Sequence, residues 1–357
     1  MVMRPLRVLM LNMEKGWRGG ERQTLLTMQQ LRQAGQAVSV LARHDAPLAH
    51  RARGEGFDVF EARNALQVCR LLWRYRHDID IFHAQTANTL TWLAILGPVL
   101  KGRLVFTRRT AFPVLRRQSL TRWKWRQAHA LVAISEAAAS EPRRLGVDVA
   151  AIIPSAVSFQ PFNESKVAQL REQLQMGNRH VVATAAAMTK EKDPLTLVRT
   201  IHRLRQLRND FIFLHFGAGG DQEAAAVALV TELGLQDIYH FIGFRDDITD
   251  CYRLMHVFLL TSRHEALGSS VLDAFLYGVP VVATRAGGLQ EVLADGRGMT
   301  AATGDVEALA AGVHALLEDP ELARRVVAEA ATYVAQHHDA GRMTARYLEI
   351  YQRLQSA

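Results

Sequence analysis

Residues 261–288 combine a loop carboxylate with the predicted start of a helix. Glu265 follows an apolar run of strand length, and Asp273 lies eight residues later within the helix. The turn into that helix is expected to line a site through Leu267, Gly268, Ser269 and Ser270. Free N–H groups and the positive end of the helix dipole favour a diphosphate there, and Asp273 is placed to accept hydrogen bonds from a ribose diol. Taken singly, these residues also fit a loop carboxylate, a serine cap and a surface aspartate.

The elements that must position these residues alternate between short apolar runs and helical stretches. Continuous apolar runs of strand length, separated by helices, are typical of parallel strands that are buried on both faces. We predict strands over residues 6–12, 37–42, 79–83, 104–107, 130–134, 180–186, 211–216, 240–243, 257–261 and 279–284. After Gly287 the chain is expected to be largely helical.

The repeated strand–helix units predict an α/β protein with two Rossmann-like domains that face each other across a cleft. Residues 153–162 contain two prolines and interrupt the pattern, so we expect a hinge there. The predicted domains are residues 1–160 and residues 161–337. A closing helix over 338–357 is expected to pack back on the first domain.

Composition supports two ordinary globular domains without a membrane span. The chain has 357 residues, of which 49% are hydrophobic and 22% are charged. Cys69 and Cys251 lack metal-ligand spacing, and two cysteines do not suggest a disulfide framework, so a cytoplasmic location is expected. The first apolar run is too short and polar for a secretory signal. The longest run, residues 89–100, is about half a bilayer span.

The segment 261–288 resembles the signature of the family 4 retaining glycosyltransferases, which have the GT-B fold. In that family a Glu-x7-Glu motif precedes a "G-x-PVVAT-x-x-GG-x-x-E" stretch, which matches Gly278 to Glu291 here. The resemblance implies that residues 1–160 bind the acceptor and residues 161–337 bind the nucleotide sugar. It further implies that Glu265 contacts the donor sugar and Asp273 contacts the ribose. The second carboxylate is Asp instead of Glu, which is one methylene shorter.

Other stretches resemble the same family in the same order. Gly19, Gly20 and Glu21 match its acceptor-side loop, and Lys192, within AAMTKEKD, matches the lysine that neutralises the donor phosphates. The family's arginine falls on Ala187, and its two glycines fall on Ala186 and Asp193. Three further residues match turns expected near the nucleotide, namely Gly217, Gly243 and Phe244. Singly, each of these residues also fits an ordinary turn or a solvated charge.

Charge is distributed unevenly along the chain. Residues 1–160 hold 24 Lys and Arg against 11 Asp and Glu, whereas residues 161–357 hold 19 against 24, which gives net charges of +13 and −5. Between Lys101 and Arg126 there are nine basic residues, no acidic residue and several aromatic ones. Such a stretch fits an anionic membrane surface, with a solvated basic face as the alternative. Arg108 and Arg109 are expected at the cleft rim, where they would bind an anionic acceptor.

His83 ends a predicted strand. It is a candidate for a catalytic role beside the acceptor and equally for a structural role. With Glu265 and Lys192 it completes the predicted catalytic set.

The resemblance implies metal-free, retaining transfer from a nucleotide-diphosphate sugar, which is a co-substrate and not a cofactor. The expected acceptor is an anionic glycolipid, such as a growing lipopolysaccharide core, and the protein would associate peripherally with the inner face of the cytoplasmic membrane. Two alternatives stay open: a sugar-nucleotide epimerase or hydrolase of the same fold, and a non-catalytic module that binds nucleotide sugar or membrane. Nucleic acid is disfavoured as a partner, and nothing in the sequence indicates the sugar, the base or the oligomeric state.

Overall fold

The computed structural model describes residues 4–174 and 176–356. The chain divides into two compact units, one formed by Met1–Ala156 with His337–Ala357 and the other by Val157–Gln336. The boundary lies inside the proline-containing segment 153–162. Each unit contains one parallel β-sheet with helices between its strands.

The first unit is built on a seven-stranded sheet with the order β3-β2-β1-β4-β5-β6-β7. Its strands are β1 (Arg7–Asn12), β2 (Ala37–Arg43), β3 (Asp58–Ala62), β4 (Ile81–Ala84), β5 (Arg103–Arg108), β6 (Ala130–Ala133) and β7 (Ala151–Ile152). The helices are α1 (Gly19–Gln33), α2 (Pro47–Gly54), α3 (Ala65–Arg74), α4 (Ala87–Leu96), α5 (Gln118–Arg126) and α6 (Glu136–Arg144). A 3₁₀ turn, Gly97–Val99, follows α4.

Alternate residues of β1 pack into cores on opposite faces of this sheet, which explains why the strand is apolar throughout. Val8 and Met10 belong to a core with residues of α1 and α2, and the C-terminal helix of the chain contributes Tyr347 and Tyr351 to the same core. On the other face, Leu9 packs with residues of the helices α3, α4 and α5 in a second core.

The second unit is built on a six-stranded sheet with the order β10-β9-β8-β11-β12-β13. Its strands are β8 (His180–Ala185), β9 (Phe211–Phe216), β10 (Tyr239–Gly243), β11 (Val257–Leu260), β12 (Val281–Thr284) and β13 (Met299–Ala301). Its helices are α7 (Glu164–Gln173), α8 (Pro194–Leu207), α9 (Glu223–Glu232), α10 (Ile248–Tyr252), α11 (Ser269–Leu276), α12 (Leu289–Val292), α13 (Val306–Glu318) and α14 (Pro320–His337). The last helix of the chain, α15 (Ala340–Ser356), belongs to the first unit and contacts α1.

Every predicted strand is present, with its ends within two residues of the prediction, and the parallel α/β fold class is confirmed. Three strands were not predicted, β3, β7 and β13, and all three lie at sheet edges. After Gly287 the chain is largely helical, as expected, and the short strand Met299–Ala301 is the exception among the described residues. No helix within residues 4–174 and 176–356 has the length and apolar composition that a membrane span requires.

Candidate functional site

Lys192 and Glu265 lie on loops that follow neighbouring strands of the second unit. Strand β8 lies between β9 and β11, so the loops after β8 and β11 meet at a point where the strand order reverses. Ligands of open α/β sheets bind at such points, beyond the carboxyl ends of the strands. Lys192 Nζ donates to Glu265 Oε1 in an ion pair, and Ser262 Oγ donates to the same oxygen over 3.3 Å. The Lys192 side chain remains 28% exposed, so it is accessible to an anionic ligand.

A second ion pair joins the same two loops. Arg263 Nε donates to Asp193 Oδ2 over 2.7 Å, and the Arg263 N–H group donates to the Glu191 carbonyl oxygen over 2.7 Å. Asp193 has a left-handed φ of 50° and caps α8 through the Thr196 N–H group and hydroxyl. The left-handed conformation favours glycine, which is the residue of the resembled family motif at this position, and Asp tolerates it because its short side chain can bond locally. Arg263 therefore brings a guanidinium to a loop that has Ala187 in place of an arginine.

Two glycines after β12 shape the loop that carries Glu265. The Gly288 N–H group donates to the Glu265 carbonyl oxygen over 2.9 Å. A Cβ atom on Gly287 would lie 2.1 Å from the Glu265 carbonyl oxygen, and one on Gly288 would lie 2.1 Å from the Ala266 carbonyl oxygen. Both positions require glycine because backbone atoms approach there too closely for any side chain.

Gly288→Ala should displace the Glu265 loop and destabilise the second unit. Because the obstructing atom is a backbone carbonyl oxygen, relief requires a backbone shift, and we expect a loss of about 1–3 kcal/mol. The check is the free energy of unfolding in urea. The matched control is Gly54→Ala in α2, where a Cβ meets nothing within 4 Å and stability should not fall. Equal stabilities for the two variants would contradict the close approach.

Helix α11 begins at the end of the loop that carries Arg263 and Glu265, the partners in the two ion pairs. Gly268 is the N-cap, with a left-handed φ of 85°, and the helix begins at Ser269 as predicted. The N–H groups of Ser269 and Ser270 lie in the first helical turn, where no intrahelical acceptor exists. Leu267 and Asp273 are each 5% exposed, which excludes the surface interpretation of Asp273. Within the described chain, no group of three or more His, Cys, Asp or Glu side chains is arranged to hold a metal ion.

The loops after β9 and β10 lie at the same carboxyl edge of the sheet, on the side of β8 away from β11. The Gly217 N–H group donates to the Gly243 carbonyl oxygen over 2.8 Å, and a Cβ on Gly217 would lie 2.2 Å from the Ala186 carbonyl oxygen. Both glycines have positive φ, of 118° and 81°. Phe244 follows them and is 57% exposed. The glycines thus hold neighbouring loops together, and Phe244 offers an exposed aromatic ring beside them.

In the first unit, Gly19 and Gly20 form the start of α1. The next residue, Glu21, is 4% exposed and accepts a hydrogen bond of 2.7 Å from the Arg18 N–H group. Burial raises the pKa of the Glu21 carboxyl group. The carboxyl group that caps α1 is thus the third residue of the predicted Gly19–Gly20–Glu21 stretch.

His83 lies inside the first unit and not at its edge. It is fully buried, its Nδ1 lies 2.7 Å from the Tyr351 hydroxyl, and its Nε2 lies 2.7 Å from the Thr107 hydroxyl. Strand β4 continues to Ala84, so the expectation that His83 ends the strand is wrong. Because both ring nitrogens bond to buried hydroxyls, this geometry favours the structural role.

Acidification should weaken the fold through buried neutral histidines. Burial lowers the pKa of His83 to about 3 and that of His215 to about 4. An unfolded chain binds these protons below about pH 6.5, whereas the folded chain does not. Stability is therefore full above pH 6.5 and falls as the pH drops towards these lowered values, by up to about 1.4 kcal/mol per pH unit for each ring.

Urea unfolding at pH 7 and pH 5 measures this loss. His83→Gln should lose less stability between the two pH values than the unchanged protein, because it removes one of the two rings. His50→Gln, at an exposed histidine, should retain the full loss. An identical loss in all three proteins would show that His83 does not resist protonation.

The basic stretch divides into buried and exposed parts. Arg108 is 3% exposed, donates to the carbonyl oxygens of Thr110 and Phe112, and lies 4.7 Å from the centroid of the buried Trp125 ring. The expectation that Arg108 lines an accessible rim is therefore wrong. Four apolar side chains of the stretch are exposed by 42–82%, namely Phe112, Leu115, Leu120 and Trp123. Arg116, Arg117, Arg122 and Arg126 are exposed among them.

Family models match both units of the chain. Residues 17–160 match the model described as "Glycosyltransferase Family 4", and residues 166–333 match "Glycosyl transferases group 1". One similar protein is a 2-deoxystreptamine glucosyltransferase of Streptomyces kanamyceticus, 30% identical over 64% of this chain and 62% of that protein. Another is the lipopolysaccharide core biosynthesis glycosyltransferase LpsE of Rhizobium meliloti, 29% identical over 41% of this chain and 42% of that protein. The chain thus spans less than two thirds of either curated relative.

Solved structures share the fold along nearly the whole chain. Anabaena Alr3699/HepE in complex with UDP and glucose has a TM-score of 0.86 at 21% identity, over 98% of this chain and 100% of that one. A glycosyltransferase from Rickettsia africae has a TM-score of 0.83 at 18% identity, over 99% of both chains. With the GT-B fold shared and a family model matched in each unit, the chain belongs to the family 4, group 1 glycosyltransferases.

Proposed function

We propose that the protein transfers a sugar from a nucleoside-diphosphate donor to a hydroxyl group of a membrane-associated acceptor, with retention at the anomeric carbon. The observation that carries the proposal is the Lys192–Glu265 ion pair beside the start of α11. It places a cation, free helical N–H groups and a carboxylate at the strand-order reversal of one sheet.

Each residue has a defined part in this reaction. Lys192 and the N–H groups of Ser269 and Ser270 stabilise the charge that develops on the leaving diphosphate. Glu265 orients the sugar, and the buried Asp273 accepts from the ribose hydroxyls. Retention through front-face attack by the acceptor hydroxyl rests on the family resemblance, since no nucleophile is assigned to the donor side.

A thermal screen tests the donor class. UDP is the first candidate, since Alr3699/HepE, which shares this fold, is described in complex with UDP and glucose. A ligand at 100 times its Kd stabilises a folded protein by about 2.7 kcal/mol. One of UDP, GDP and ADP should therefore raise the melting temperature clearly, and its sugar conjugate should be consumed only when acceptor is present. Consumption without acceptor would instead identify a hydrolase or epimerase.

The proposed acceptor is an anionic glycolipid, such as a growing lipopolysaccharide core, at the cytoplasmic face of the bacterial inner membrane. The name of the LpsE relative supports this class of acceptor. The exposed basic and apolar side chains of residues 112–126 support attachment to an anionic membrane, since apolar groups enter the headgroup boundary while arginines meet lipid charge.

Replacing Arg116, Arg117 and Arg122 by Gln should weaken binding to phosphatidylglycerol vesicles. Each basic residue near such a surface contributes about 1 kcal/mol, so three together correspond to about a hundredfold loss. Vesicle co-sedimentation measures the loss. A matched triple substitution in the second unit, at the exposed Arg199, Arg324 and Arg325, removes the same charge and should have little effect. Equal losses in both triples would mean that net charge, and not this surface, governs attachment.

A further inference from the structure

Arg109 is a cation that the first unit holds with neutral groups only. It directly follows β5, at the carboxyl edge of the seven-stranded sheet. Its Nε and Nη2 atoms donate to Gln85 Oε1 over 3.1 and 2.7 Å, and its Nη1 atom donates to Ser155 Oγ over 3.1 Å. None of these three hydrogen bonds reaches a carboxylate.

The guanidinium of Arg109 is partly withdrawn from water and has no anionic hydrogen-bond partner among the described residues. Burial lowers its pKa, and Glu21 opposes that shift from a distance without a hydrogen bond to Arg109. A desolvated charge is costly unless it is paired, and buried arginines are normally matched by carboxylates. In the second unit, Arg208, whose side chain is 10% exposed, illustrates the usual arrangement through its pair with Asp210. Arg109 can therefore bind an anionic ligand, because no carboxylate in the described part of the first unit hydrogen-bonds to it.

Gln85 adds a second donor at the same place. It follows β4 directly and is 2% exposed. Because arginine only donates, the Gln85 oxygen must face Arg109, which fixes the orientation of the amide. The Gln85 amide nitrogen then has no hydrogen-bond partner within residues 4–174 and 176–356. A buried donor of this kind is normally satisfied, so a ligand oxygen is the partner that it lacks.

The position of this pair in the sheet is that of a ligand site. Strand β4 lies between β1 and β5, and the strand order reverses between β1 and β4. Gln85 and Arg109 thus lie after adjacent strands at the edge where open α/β sheets bind ligands. Glu21 lies in the first turn of α1, which follows β1 across the same reversal.

We propose that Arg109, oriented by Gln85 and Ser155, binds a carboxylate or phosphate group of the acceptor beside the hydroxyl that receives the sugar. A guanidinium fork matches the paired oxygens of either group. This inference rests on the proposed function, because only a transfer reaction requires an acceptor. The group that Arg109 binds is an oxyanion, and the donor could also supply one through its diphosphate.

Two binding titrations on the full chain separate these sources. Inorganic phosphate is titrated calorimetrically in the presence of the saturating nucleoside diphosphate that the thermal screen identifies, or alone if none binds. The proteins are the unchanged chain, Arg109→Gln, Arg109→Lys and the exposed control Arg63→Gln, each checked for folding by circular dichroism. The nucleotide is then titrated into the same four proteins.

Arg109→Gln should weaken phosphate binding by about tenfold or more, because a charge-assisted contact is lost. Arg109→Lys keeps the charge and should lose only a few-fold, while Arg63→Gln and all nucleotide affinities should stay within about twofold. Phosphate binding unchanged in Arg109→Gln would overturn the site. A tenfold loss of nucleotide affinity in Arg109→Gln alone would assign the oxyanion to the donor and overturn the acceptor assignment. Failure of every nucleotide to bind would refute the proposed function while leaving the phosphate comparison intact.

Discussion

Glu265→Gln should lower kcat for sugar transfer by about 10²–10³-fold, the usual loss when one preorganised electrostatic group is removed from an active site. The variant keeps the shape of the side chain and its ability to accept a hydrogen bond from Lys192. It also releases the Lys192 charge from its carboxylate partner. Affinity for the nucleoside diphosphate should therefore stay the same or increase while transfer is lost. Steady-state kinetics and calorimetry measure the two quantities on one preparation.

The control for Glu265→Gln is Glu232→Gln, at an exposed residue that ends α9. It removes the same charge from the same unit and should leave both kcat and affinity unchanged. Transfer that survives in Glu265→Gln at the level of this control would exclude Glu265 from the reaction.

Lys192→Gln should weaken binding of the nucleoside diphosphate, whereas Glu265→Gln should not. Its Nζ atom is the cation placed beside the start of α11, and a hydrogen bond between charged groups contributes about 1.5–3 kcal/mol. Affinity for the nucleoside diphosphate should thus fall by about 10- to 100-fold, with a further loss in kcat because the leaving diphosphate loses a counter-charge. Glu265 is left without its partner, which also lowers stability.

The matched control is Lys166→Gln, at an exposed position of α7. Nucleotide affinity should be unchanged there. If both lysine variants weaken nucleotide binding equally, the effect reflects net charge, and a direct contact of Lys192 with the diphosphate is excluded. If both Glu265→Gln and Lys192→Gln weaken binding equally, the two residues act only as a structural pair.

The sequence was sufficient for the central strands and for the edge strand β10, and insufficient for the other three sheet edges. Interior strands such as Phe211–Phe216 are buried on both faces and are therefore continuously apolar, which makes them visible as runs. The edge strands have mixed or very short sequences, as in Asp58–Ala62, with its two carboxylates, and Ala151–Ile152. Their pairing depends on a neighbouring strand more than on their own apolar pattern.

The sequence predicted the part of the candidate site that lies within one continuous segment. Glu265 and the start of α11 belong to one strand–loop–helix segment, so their proximity follows from local structure. Contacts between distant loops were not predictable in this way. The Arg263–Asp193 pair spans 70 residues, and the bond of His83 to Tyr351 spans 268. Without that partner in α15, a strand-end histidine could not be distinguished from a catalytic one.

The most direct measurement is a crystal structure of the protein with the nucleoside diphosphate that stabilises it most. We predict that the diphosphate lies within hydrogen-bonding distance of Lys192 Nζ and of the N–H groups of Ser269 and Ser270, with the ribose hydroxyls on Asp273. A nucleotide bound away from the loops that follow β8 and β11 would contradict the account.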